Sequence, residues 1–64
     1  MVCKVVAEVR KDGKTVTRTR TVSVSNITDE DGTPMQKAIR RAADWMRDAG
    51  WQWVALKSVE TVQP

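Results

Sequence analysis

Arg18 and Arg20 stand two residues apart in the alternating run from Lys14 to Val22, so an extended chain presents both guanidinium groups on one side. With Lys14, and with Lys4 from the run before it, they form a cationic stripe suited to phosphates or acidic side chains. The same pattern also protects an edge strand against unwanted pairing. No aromatic residue interleaves with these bases, which tells against a platform on which single-stranded bases stack. Arg41 beside Trp45, and Trp53 further on, are the other candidates for partner contact, because tryptophan and arginine lead among interface hot spots.

Catalytic chemistry finds little support. The chain has no histidine, no tyrosine and one cysteine, Cys3, with no obvious base to activate it; a small buried hydrophobe is the expected role of that thiol. A lone thiol without histidine leaves no ordinary zinc site, and Asp29-Glu30-Asp31-Gly32 lacks the later ligands of a calcium loop. No metal, no cofactor and no enzymatic activity are therefore expected.

The elements that position these residues can be read from their punctuation. Thr33 to Gln36 matches a capping box, Pro34 occupies the first helical position, and Gly50 can adopt the left-handed conformation that ends a helix. Between them, Trp45, Ala38, Ala49, Ala42, Met35, Met46, Ile39 and Ala43 fall on one arc and the charged residues on the other. Arg40 and Asp44, four apart, are placed to pair on the wet face.

Cys3 to Arg10 and Thr15 to Ser25 read as strands joined by an Asp12-Gly13 hairpin, and Gln52 to Val62 as a third. The order is ββαβ. A right-handed crossover returns the third strand beside the first, giving an α+β fold: a three-stranded antiparallel sheet of order 2-1-3 with one helix on one face.

Two hairpin registers are open. A two-residue turn sets Val9 against Val16 and Ala7 against Arg18, while a three-residue Lys11-Asp12-Gly13 loop sets Val9 against Thr15. The second is preferred because it keeps Arg18 and Arg20 out of the core and places them, with Lys4, Val6, Glu8, Val16 and Val22, on the open face. Trp51 and Trp53 point to one face of the third strand, while Val54 and Leu56 occupy the alternation that includes Gln52; both sets cannot face the helix unless the strand bulges.

A chain of 64 residues with net charge +3 is one small domain, residues 1–64, that buries only about 60% of its unfolded surface. It has neither a disulfide nor a metal to staple it, so completion by a homodimer or a partner is one expectation. No run is long and apolar enough to span a membrane or to serve as a signal peptide, so a cytoplasmic location and no membrane partner are expected.

The Val9 to Lys14 hairpin, the strand carrying Arg18-Thr19-Arg20, the alanine-rich helix ending in Ala42-Ala43-Asp44-Trp45 and the closing strand together resemble the small type I-F anti-CRISPR proteins encoded by phages. The resemblance covers residues 5 to 60, and the tryptophan-rich junction departs from it. It implies a phage or mobile-element inhibitor that blocks a bacterial nucleoprotein complex in the host cytosol through surface contacts. The partner-binding candidates are Lys4, Lys14, Arg18, Arg20, Arg41, Trp45 and Trp53. The competing expectation is a small basic protein whose hairpin follows nucleic-acid phosphates.

Overall fold

Asp12 and Gly13 both have positive φ, 54° and 78°, the conformation of a type I′ turn, whose twist matches the right-handed twist of the strands it joins. This turn belongs to a computed structural model that describes residues 1–63. It joins β1 (Val2–Lys11) to β2 (Lys14–Ser23); α1 (Pro34–Asp48) and β3 (Gln52–Gln63) follow. The three strands form an antiparallel sheet of order β2-β1-β3 with the helix on one face, the α+β arrangement expected.

The hairpin register is not the preferred one. Val9 lies opposite Val16 and Ala7 opposite Arg18, as the two-residue turn requires. Consequently Val16, Arg18, Arg20 and Val22 share the helix side with Val9, Ala7, Val5 and Cys3. The open face instead carries Thr15, Thr17, Thr19, Thr21 and Ser23 opposite Arg10, Glu8, Val6, Lys4 and Val2. The preference for a longer loop equated the helix-side row with the core. The shorter turn is tolerated because β2 is an outermost strand, where a long side chain can lean along the sheet with its charged end in water.

Burial follows β1. Cys3, Val5, Ala7 and Val9 are fully enclosed, whereas Val22 is the one buried residue within β2. On α1, Ala38, Ala42 and Met46 are buried, and their small or flexible side chains let the helix approach β1 closely. Met35 and Ala49, expected on the buried arc, lie exposed at the two ends of the helix. Cys3 is a buried free thiol.

Both helix ends are closed as expected. The Gln36 N–H donates to Thr33 Oγ1 at 3.2 Å, and Gln36 Oε1 accepts from the Thr33 N–H at 2.8 Å. At the other end Gly50 has φ 89°, its N–H donates to the Arg47 carbonyl, and the Trp51 N–H donates to that of Met46; the pair forms a Schellman motif. Asp44 pairs with Arg47 rather than with Arg40, so the expected four-residue pair gives way to a three-residue one.

β3 slips against β1 in three places, and Val54, Lys57 and Val62 have no partner there. These bulges resolve the competition between the two alternations. Trp53 pairs with Val9 and packs against both halves of the core, while Val54 and Leu56 remain exposed. Trp53 therefore does not join an open face with the arginines.

Candidate functional site

The two-residue register brings Arg18 and Arg20 beside the C-terminal half of α1. The Arg20 guanidinium carbon lies 4.2 Å from the centre of the Trp45 ring, and that of Arg18 lies 4.9 Å from the Trp51 ring. Lys11 Nζ, at the end of β1, lies 5.3 Å from the same Trp51 ring. Further along, Arg41 donates from Nη1 to the Ser23 carbonyl oxygen. Cations and indoles thus line the seam between β2 and α1. Each stacked contact at so exposed a place contributes about 0.5 to 1 kcal/mol.

Local sequence explains most members of the seam. Trp45 precedes the buried Met46 and so sits at the margin of the core, half-exposed. The Schellman motif turns Trp51 back against the Ala7, Val9 and Met46 cluster. Alternation along β2 points Arg18 and Arg20 toward those rings, and the turn places Lys11 opposite Lys14.

Four ion pairs lie elsewhere. Lys4 pairs with Glu60 at 3.8 Å, Lys57 with Glu8 at 3.7 Å and Lys37 with Asp29 at 3.2 Å, and Arg47 pairs with Asp44. Lys11, Lys14, Arg18, Arg20 and Arg41 along the seam, and Arg10 and Arg40 away from it, have no carboxylate partner among the described residues. Asp29 also accepts from the Asp31 N–H; chiefly the Lys37 hydrogen bond, and then this one, hold its carboxyl below the usual carboxylate range. A shallow depression on the outer side of the helix mixes Lys37, Arg40 and Arg41 with Asp31 and Asp44, so it lacks the single sign of the seam.

A guanidinium lying over a ring uses its face for the contact, and its N–H donors remain available in the plane. Arg18 and Arg20 have no acceptor for those donors among the described residues. They are thereby held ready for carboxylate or phosphate oxygens. The rings themselves are occupied by cations and are poorly placed to stack on bases.

Of the residues singled out from the sequence, the structure gathers Arg18, Arg20, Arg41 and Trp45 along one seam, with Lys14 at the turn end. Lys4 is separated from them on the open face and already paired with Glu60. Trp53 lies between the two halves of the core. Lys11 and Trp51 join the seam without having been singled out for binding; the Asp12-Gly13 pair and the glycine stop before Trp51 were the signals that could have placed them.

Fold and seam define a small α+β protein in which five of the seven cations without a carboxylate partner among the described residues gather between one outermost strand, β2, and the helix. No family model, no curated protein and no solved structure matches the chain. No helix among the described residues is long and apolar enough to cross a membrane.

Proposed function

We propose that this chain is a non-catalytic binding protein that docks an acidic surface of a bacterial protein or nucleoprotein complex through the β2 and α1 seam. The observation that carries the reading is the pair of arginines standing on tryptophans, with donors free and no carboxylate beside them, while Lys4, Lys37 and Lys57 away from the seam each pair with an acid. The resemblance to small phage type I-F anti-CRISPR proteins supports an inhibitor of a CRISPR-type complex acting in the host cytosol. Nothing in the seam supplies an activated nucleophile or an acid and base pair, so contact alone is the action proposed.

Affinity capture from a bacterial lysate, with and without nuclease, tests the proposal. Partners retained after nuclease, and lost when Arg18→Glu is combined with Arg20→Glu, are the expected result; loss of every partner after nuclease would overturn it. The same free donors favour a second reading, contact with nucleic-acid phosphates. Salt separates the two: phosphate binding falls steeply between about 50 and 200 mM salt, whereas a protein interface centred on tryptophan changes far less.

A further inference from the structure

We infer that β2 accepts an acidic, extended polypeptide as a fourth strand of the sheet, its backbone on the β2 edge and its carboxylates on Arg18 and Arg20. The inference rests on the acidic partner proposed above and adds the manner of holding it. A two-residue hairpin makes Lys11 and Lys14 a hydrogen-bonded pair, and the alternation that follows turns the N–H and C=O of Thr15, Thr17, Thr19 and Thr21 away from β1. The Arg41 bond to the outward carbonyl of Ser23 agrees with that phase.

β2 follows β1 in unbroken register over its full ten residues and contains no proline. It is therefore a regular template for strand addition, unlike the three-times-bulged β3. Cations that guard an edge ordinarily stand across it; Arg18 and Arg20 instead lean toward α1, over Trp51 and Trp45, and leave the backbone row open. On the other side of the strand the threonine hydroxyls offer uncharged neighbours. An added strand bearing Asp or Glu at every second residue would meet arginine on one face and threonine on the other. A second copy of β2 would instead bring like charges side by side, which makes self-pairing the poorer occupant.

Anisotropy with a labelled peptide of alternating valine and glutamate tests the inference, alongside the same peptide N-methylated through its central half and a DNA duplex of equal charge. Thr19→Pro is the matching protein variant, because it removes an outward donor without removing a β1 ladder bond. The parent peptide should bind the natural chain, and both N-methylation and Thr19→Pro should weaken binding about tenfold or more. If Thr19→Pro loses its cooperative melting, the methylated peptide carries the test alone. Equal binding of the methylated peptide would show attraction by charge only; strand addition would then fall while the acidic partner stood. Failure of the peptide to bind would also overturn the inference. Binding of the duplex but of neither peptide would overturn both the inference and the acidic protein partner.

Discussion

β2 and β3 are both outermost strands of one sheet, yet β2 keeps perfect register along β1 while β3 slips three times and leaves Val54, Lys57 and Val62 unpartnered. The bulged strand exposes Val54, Leu56 and Val62 beside an irregular backbone that offers a poor template. The regular strand exposes a good template and surrounds it with threonine and arginine. One edge is made safe by its shape, and the other is kept from pairing with its own copy by its charge. Only the second kind of protection leaves a row of donors that a partner of opposite sign can use.

The comparison can be broken at several points, beginning with the strongest. Trp53 holds β3 from within by touching both halves of the core, so Trp53→Ala should cost about 3 to 4 kcal/mol in urea denaturation and empty most of the folded population of so small a chain. A loss no greater than that of Trp51→Ala, which touches one half, would mean that β3 is anchored elsewhere.

Reversing charge on the two edges should act unequally. Arg18→Glu with Arg20→Glu should weaken partner binding by about 100-fold while costing about 1 to 2 kcal/mol of stability from the lost stacking. Lys57→Glu on β3 should leave binding within about twofold. Comparable losses in titration calorimetry would show that net charge, not the seam, sets affinity.

Gly13→Ala should cost about 1 kcal/mol, since the turn needs positive φ there and little else surrounds the residue. An unchanged urea midpoint would mean that the turn does not fix the register. Leu56→Lys on exposed β3 should change stability by no more than about 0.5 kcal/mol. Sedimentation at micromolar concentration should find the same monomer before and after; a natural dimer that this substitution splits would make β3 the adhesive edge.

The smallest effect concerns Asp29. Its carboxyl titrates below its ordinary value, so the stability contributed by the Lys37 pair is present above that ordinary value and lost as pH falls through the folded one. Asp29→Asn should remove that acid-side dependence, measured as melting temperature against pH, and leave the neutral range nearly flat.

Much of the fold was legible because local chemistry marks it: the capping box, the proline, the Schellman glycine and the Asp-Gly pair each demand one backbone conformation. Strand order followed from the apolar β1 and the handedness of the crossover. The register is not legible from β2 itself, because valine, threonine and arginine alternate along it in a way that either phase can accommodate. Arginine can occupy the helix side because an outermost strand gives it indoles to rest on. The approach of Trp51 and Lys11 to the arginines depends on that register and is hidden for the same reason. The bulges of β3 were legible only as a condition for reconciling Trp53 with Val54 and Leu56.

The Asp12-Gly13 turn also bears on the order in which the chain gains structure. β1 and β2 are joined by two residues and close over a short loop, whereas β3 reaches β1 only after the helix has carried the chain back, a far longer closure. The arginine row belongs to the shorter closure, and its indoles, Trp45 on α1 and Trp51 just after it, belong to the longer one. All three tryptophans lie between Trp45 and Trp53, so intrinsic fluorescence is a built-in clock for that longer closure.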